Sequence, residues 1–143
     1  SWTDFVGDEY KAFSGTAVYT TTINKVPVAD VIKLDLGSVA ENASVYLNGD
    51  YIGTVIDSPY QLYIPAEKFK GQDELVVRVA NSMANRIAYM DKKGVDWKIF
   101  YNVNMSARKK ENVKNGIFDA SDWEPKSSGL LGPVTLTPAM VKQ

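Results

Sequence analysis

ASVYLNGDYIGTV, residues 43–55, is the stretch that indicates the fold. Before its turn, Val45 and Leu47 alternate with Ser44 and Tyr46. A period of two places alternate side chains on opposite faces of a β-strand. Asn48-Gly49 follows, and both residue types tolerate the positive φ angles of a two-residue hairpin turn. The stretch therefore predicts two antiparallel strands joined by a tight turn, with the return strand at residues 51–55.

The same alternation recurs along much of the chain. It is found at residues 17–23, 32–36, 60–64, 74–80 and 134–137. About seven short strands separated by turn residues predict an antiparallel β-sandwich or barrel. The residues expected between the two sheets are Val45, Leu47, Leu75, Val77 and Val79. Tyr46 and Tyr63 fall on outward faces, where packing on the sheet is their expected role.

One segment departs from this pattern and predicts a short helix around residues 83–93. Apolar residues recur there at helical spacing, at Met83, Ile87 and Met90. Ser82 is the expected N-cap, because its hydroxyl can accept a bond from a free backbone N–H. Gly94 is expected to end the helix, since glycine tolerates the left-handed conformation that follows a last turn.

The composition excludes several classes of site. With 16 basic and 17 acidic side chains among 143 residues, no overall charge favours nucleic acid or an anionic membrane. The absence of cysteine and histidine excludes disulfides, thiolate nucleophiles, Cys/His zinc sites and Ser-His-Asp triads. No apolar run approaches the roughly 20 residues of a membrane-spanning helix. The length fits one domain, and we expect a single β-sandwich domain over residues 1–143.

Nine strings, in this order, resemble a known family of carbohydrate-active proteins. They are FSGTAVY (13–19), LDLGSV (34–39), ASVYLNG (43–49), YIGT (51–54), ELVVRVAN (74–81), MANRI (83–87), WKIFY (97–101), DW (122–123) and SGLLGPV (128–134). Together they resemble the galactose-binding-like β-sandwich domains of glycoside hydrolase family 2 and of family 106 α-L-rhamnosidases, over about residues 13–137. The resemblance implies an all-β jelly-roll sandwich. It also implies an accessory role, with the catalytic acids in a separate domain of the same polypeptide.

Residues 95–132 lack regular alternation, and long irregular segments in compact domains often carry function. Pyranose rings stack their C–H faces on aromatic rings, and their hydroxyls need hydrogen-bonding side chains. The candidate sugar-binding residues are Trp97, Tyr101, Trp123, Asn85, Arg86, Asp91 and Asp122. We expect segments 85–101 and 118–123 to meet in one polar and aromatic cleft. In the alternative, the aromatic residues cap the sandwich, and Arg86 and Asp91 pair on the helix surface.

Carboxylates are the remaining candidates for catalysis and metal binding. Glycoside hydrolysis needs two carboxyl groups at a defined separation. We expect no catalytic residue, because no such pair is evident among Asp57, Asp91, Asp119 and Asp122. Asp119 and Asp122 are calcium candidates, since calcium prefers oxygen ligands. The alternative for them is an Asx-type turn that caps backbone amides. We expect no other cofactor.

The leading hypothesis is a non-catalytic accessory domain of a glycoside hydrolase that binds sugar or buttresses the catalytic domain. The alternatives are a purely structural or interaction sandwich without a ligand, and a free-standing glycosidase, which the missing histidine and unpaired carboxylates disfavour. The expected partners are carbohydrate and the catalytic domain of the same polypeptide, but not nucleic acid or a membrane. The opening at Ser1-Trp2 suggests a fragment of a larger protein, with a periplasmic or extracellular location through that parent.

Overall fold

The structure, a computed structural model, describes residues 1–99 and 109–139. Within these ranges the strands are β1 (Thr16–Ile23), β2 (Val31–Asp35), β3 (Ser38–Ala40), β4 (Asn42–Leu47), β5 (Asp50–Val55), β6 (Gln61–Pro65), β7 (Asp73–Ala80), β8 (Val113–Lys114), β9 (Ile117–Phe118), β10 (Gly129–Gly132) and β11 (Thr135–Pro138). The α-helices are α1 (Asp8–Ala12) and α2 (Ala84–Lys92). Single 3-10 turns lie at Trp2–Asp4, Ala66–Lys68 and Lys110–Asn112. None of the helices within the described ranges is long and apolar enough to cross a membrane.

The chain divides into two compact units. The sandwich unit contains Ser1, Gly15–Asn81 and the described residues from Ser128 onward. The helix–loop unit contains Trp2–Ser14 and the described residues of Ser82–Ser127. A single domain over residues 1–143 stays a prediction, since compact units of this kind also occur within one domain.

Antiparallel sheets build the sandwich unit, which confirms the predicted all-β sandwich. One sheet has the strand order β1-β7-β4-β5, another has the order β11-β2-β6, and β10 pairs with β3. The five residues predicted to be buried are each at most 4% exposed. They belong to a larger apolar cluster made up of Leu34, Leu36, Val39, Ala43, Val45, Leu47, Val55, Ile64, Leu75, Val77 and Val79. Because this cluster draws on both larger sheets, their apolar faces form one core.

The predicted hairpin is confirmed at Asn48 and Gly49, whose φ angles are 52° and 86°. The Asn48 side chain also donates to Oδ1 of the buried Asp73 at 2.7 Å. Backbone N–H groups of Lys70 and Gly71 donate to the same carboxylate at 2.8 and 3.1 Å. Burial acts to raise the pKa of Asp73, but these hydrogen bonds outweigh it and the pKa is lowered. The ionised carboxylate therefore ties the hairpin tip to the start of β7.

The predicted helix is confirmed as α2, which spans Ala84–Lys92. Gly94 ends it with a φ of 67°, and the N–H of Val95 donates to the carbonyl of Met90 at 2.9 Å, as in a Schellman-type C-cap. The prediction of Ser82 as N-cap is wrong, because Met83 occupies that position and makes no side-chain capping bond. Ser82 lies one residue too early, and its carbonyl accepts from the Ser14 hydroxyl at 3.2 Å.

Candidate functional site

A cleft of about 480 Å³ opens in the helix–loop unit. It is lined by α1, by α2 and by the loop at residues 121–125. Three of the predicted sugar-binding residues border it, namely Asn85, Trp123 and Asp122. The structure thus brings part of the 85–101 segment together with the loop after residue 118. Trp97, Arg86 and Asp91 are not part of the lining, and Tyr101 lies outside the described residues.

Asn85 shapes the wall of the cleft through its own hydrogen bonds. Its side-chain amide donates to the carbonyl of Lys126 at 2.8 Å, and its oxygen accepts from the N–H of Lys126 at 2.8 Å. The residue is 5% exposed. These two hydrogen bonds connect the end of the loop to α2. Asn85 therefore contributes to the shape of the cleft more than to its hydrogen-bonding surface.

Asp91 holds three segments of the helix–loop unit together. Its side chain is 1% exposed, and Oδ1 accepts from the Trp97 indole N–H at 2.7 Å. The Lys98 ammonium lies 2.8 Å from the same oxygen, and the N–H of Ala120 donates to Oδ2 at 2.8 Å. The alternative of a surface pair between Arg86 and Asp91 is wrong, because the carboxylate is buried and pairs with Lys98. Asp91 thus joins α2 to the segment at Trp97 and Lys98 and to the loop after Phe118.

Among the described residues of the predicted set, Trp123 is the aromatic one that lines the cleft. Its indole N–H donates to Oδ1 of the buried Asn112 at 3.0 Å. Phe118 packs edge-on against its ring, with 5.8 Å between the centroids. These contacts fix the ring and use its only donor. What the half-buried indole offers to the cleft is therefore apolar carbon surface.

The two calcium candidates flank a lysine. Nζ of Lys114 lies 3.1 Å from Oδ2 of Asp122 and 3.3 Å from Oδ1 of Asp119. Hydrogen bonds to Asp122 and then to Asp119 raise the pKa of Lys114. Asp119 also accepts from the backbone N–H of Ser121 at 3.1 Å, the Asx-type turn that was the alternative.

This arrangement does not fit a calcium site. Calcium takes six to eight oxygen ligands, whereas these two carboxylates already share the ammonium of Lys114 as their ion-pair partner. Hydrogen bonds from the Ser121 hydroxyl lower the pKa of Asp119 against the effect of its burial. Across residues 1–99 and 109–139 no group of three or more acidic, cysteine or histidine side chains could hold a metal ion.

Several lining residues were missed by the sequence reasoning. Tyr89 follows Asn85 by one helical turn on α2, so it lies on the same face and borders the cleft. The Lys93 ammonium lies 5.5 Å from the Tyr89 ring centroid, and the Arg86 guanidinium lies 5.9 Å from it. The other missed residues with polar side chains are Asp8, Lys11, Lys92, Lys93, Ser121 and Glu124. The i, i+4 spacing of Asn85 and Tyr89 was the signal that could have found the tyrosine.

The fold and its relatives define a class, a small β-sandwich domain of the kind that lies within larger glycoside hydrolases. No family model matches the chain. A Formosa agariphila protein named "Putative beta-glucuronidase" is 34% identical over 151 aligned residues, which cover 95% of this chain and 13% of that protein. The solved structure of a rhamnosidase from Novosphingobium sp. PP1Y matches with a TM-score of 0.73 and 29% identity, over 94% of this chain and 12% of that one. The resemblance to domains of glycoside hydrolases is thereby confirmed.

Proposed function

We propose that this chain is a non-catalytic accessory domain of a glycoside hydrolase and that the cleft of its helix–loop unit holds a saccharide. The observation that carries the proposal is the small share of each relative that the chain matches. Nearly the whole chain aligns with 12–13% of two much longer proteins, so most of each relative lies outside the matched part. The jelly-roll connectivity implied by the resemblance belongs to the same proposal.

The carboxylates of the cleft support a non-catalytic role. Asp8 and Asp122 are ion-paired with Lys93 at 3.2 Å and Lys114 at 3.1 Å, and their side chains are 64% and 78% exposed. A glycosidic general acid is instead a carboxyl group held in an apolar environment that raises its pKa. The resolved carboxyl pKa shifts in the described chain are all downward, at Asp35, Asp73 and Asp119.

The composition of the cleft favours a sugar. Trp123 and Tyr89 supply ring surface, while Lys92 and Glu124 supply donors and acceptors. A few polar groups around aromatic carbon match the apolar faces and the hydroxyl edges of a pyranose. Each ring stack contributes on the order of 1 kcal/mol beyond area burial, so we expect an affinity of roughly millimolar.

Titration of the chain with rhamnose, glucuronate and galactose, followed by amide and indole shifts in NMR spectra, tests this proposal. We expect shifts at residues 85–93 and 121–125, and their loss in Tyr89→Ala and Lys92→Ala. Lys110→Ala is the control, because Lys110 is an exposed lysine of the same unit and does not line the cleft. Equal weakening by the control, or no shift with any sugar at tens of millimolar, would refute sugar binding in the cleft.

A second candidate, a buttress for a neighbouring domain, is favoured by exposed apolar side chains. In the helix–loop unit Phe5 is 59% exposed and Val6 is 95% exposed, and Tyr10 and Phe13 exceed 40%. Such a cluster is typical of a surface that another protein part covers. Phe5→Ser should then lower the melting temperature of the hydrolase that carries this domain and leave that of the isolated chain unchanged. Equal effects on both would contradict the buttress.

A further inference from the structure

The outward face of the β1-β7-β4-β5 sheet contains a depression of about 460 Å³. It shares no residue with the cleft of the helix–loop unit. Its lining includes Thr16, Val18, Asn42, Ser44, Tyr46 and Arg78. The central strand β7 pairs with β1 on one side and β4 on the other, so Arg78 lies opposite both Val18 and Ser44. Two residues further on, Ala80 lies between Thr16 and Asn42 and adds only a methyl group, which leaves room at that end.

Arg78 is the single charged side chain in this lining. Its guanidinium carbon lies 4.9 Å from the centroid of the Tyr46 ring, a cation–π contact that holds the guanidinium over the ring. Among the described residues no carboxylate or other acceptor bonds to Arg78. Its five N–H donors are thus presented on an ordered surface without an acceptor from the described part of the chain.

The ring beneath Arg78 is itself fixed by neighbouring side chains. Tyr51 packs against Tyr46 with 5.5 Å between the ring centroids. The Tyr51 hydroxyl lies 2.9 Å from Oγ1 of Thr54, which lies 2.7 Å from Oγ of Ser44. This chain of hydroxyl groups links β5 back to β4. The platform under the guanidinium is therefore preorganised, which reduces the entropy lost when a ligand binds.

We infer that this depression is a binding site for an acidic saccharide whose carboxylate pairs with Arg78. A guanidinium matches a carboxylate in a planar, two-bonded arrangement, and the depression offers that carboxylate no competing negative side chain. The sugar ring has apolar neighbours in Val18 and Ala80. Its hydroxyls have the Asn42 amide and the Thr16 hydroxyl, which make no hydrogen bond to other described side chains. One cation is too few for a nucleic acid, which needs several phosphate contacts.

The test is NMR titration of the 143-residue chain with D-glucuronate, with D-glucose as the neutral counterpart of the same ring. We expect glucuronate to shift amides of β1, β4 and β7 and to bind roughly tenfold more tightly than glucose, because the charge-assisted bonds are absent in glucose. Arg78→Gln should weaken glucuronate binding by roughly tenfold. The glucuronate affinity of Arg78→Lys should lie between that of the unsubstituted chain and that of Arg78→Gln, since a lysine keeps the charge and loses the two-bonded geometry.

Two control substitutions establish that binding depends on Arg78 and not on charge elsewhere or on the cleft. Lys68→Leu removes an exposed cation elsewhere in the sandwich unit and should leave the glucuronate affinity unchanged. Tyr89→Ala removes a ring of the cleft, and it should leave the glucuronate shifts of β1, β4 and β7 unchanged, so that failure of the cleft and failure of this site are distinguishable. Equal binding of glucose and glucuronate would overturn the inference. Unchanged binding in both Arg78 variants, or equal affinity for acetate or a sulfated galactose, would overturn it as well.

Discussion

Replacing Asp91 by alanine should strongly destabilise the helix–loop unit. The substitution leaves the indole N–H of Trp97 and the backbone N–H of Ala120 without the acceptor that now lies at 2.7 and 2.8 Å. Each buried donor left without a partner costs about 1–3 kcal/mol. The side chain of Lys98 is 19% exposed, so its ammonium can turn toward water at a smaller cost. The two donors together cost about 2–6 kcal/mol, a range that includes the loss expected from breaking a buried ion pair.

Urea unfolding followed by tryptophan fluorescence measures this loss, because Trp2, Trp97 and Trp123 all lie in the helix–loop unit. Far-ultraviolet circular dichroism follows the β-strands in parallel. Asp96→Ala is the matched control, since Asp96 is an exposed carboxylate in the same segment, and it should change the free energy of unfolding by less than about 0.5 kcal/mol. A loss below about 1 kcal/mol for Asp91→Ala would refute the reasoning that the buried carboxylate holds these segments together.

Three further substitutions, one of them with a matched control, test the sandwich unit by urea unfolding followed by far-ultraviolet circular dichroism, because all three tryptophans lie in the helix–loop unit. Gly37→Ala should lower the free energy of unfolding by more than about 2 kcal/mol, because the φ of Gly37 is 67° and an added Cβ would overlap the carbonyl of Gly132. In the control, Gly49→Ala, the added Cβ meets no atom, so the loss should be about 1 kcal/mol from the positive φ alone. Equal losses in the two variants would contradict the overlap. Leu34→Ala removes a fully buried side chain and should cost about 2–5 kcal/mol, and a loss under about 1 kcal/mol would place it outside the core. The pKa of Asp73 is lowered on folding, so its stabilising contribution is complete above about pH 4 and is lost as the pH falls through the lowered value. Asp73→Asn should therefore be less stable than the parent at neutral pH and lose less on acidification, and parallel pH profiles would argue against this role.

The regular strands could be predicted from the sequence because their side chains alternate with a strict period. The stretch at 43–55 combines that period with Asn48-Gly49, a dipeptide that tolerates positive φ at both positions, and the structure places β4 and β5 there. Strands β3 and β10 were not predicted. They have three and four residues, too few for a periodic signal, and they pair only because tertiary structure brings residues far apart in sequence together.

The candidate site was harder to predict, because a polar residue in a loop can serve a ligand or the chain itself. Asp91 and Asn85 are of residue types that commonly hydrogen-bond sugar hydroxyls. In the structure, Trp97, Lys98 and Ala120 already satisfy the Asp91 carboxylate, and the backbone of Lys126 engages the Asn85 amide. Only the tertiary structure shows which donors and acceptors of these side chains are already bonded within the chain. The sequence thus indicated two of the segments that form the cleft, but it indicated neither α1 nor the side chains that remain available there.

On the sheet face around Arg78, the sequence predicted the position of a side chain but not its neighbours. Alternation correctly placed Tyr46 on an outward face, but packing on the sheet was its expected role. The strand register adds a neighbour that alternation alone does not reveal, since Arg78 of β7 lies opposite Ser44 and its guanidinium lies over the Tyr46 ring. A packing role accounts for the ring, which is half-buried, but not for an oriented guanidinium that has no acceptor among the described residues. Sequence periodicity predicts which face a residue occupies, whereas the chemistry of that face depends on which strands become neighbours.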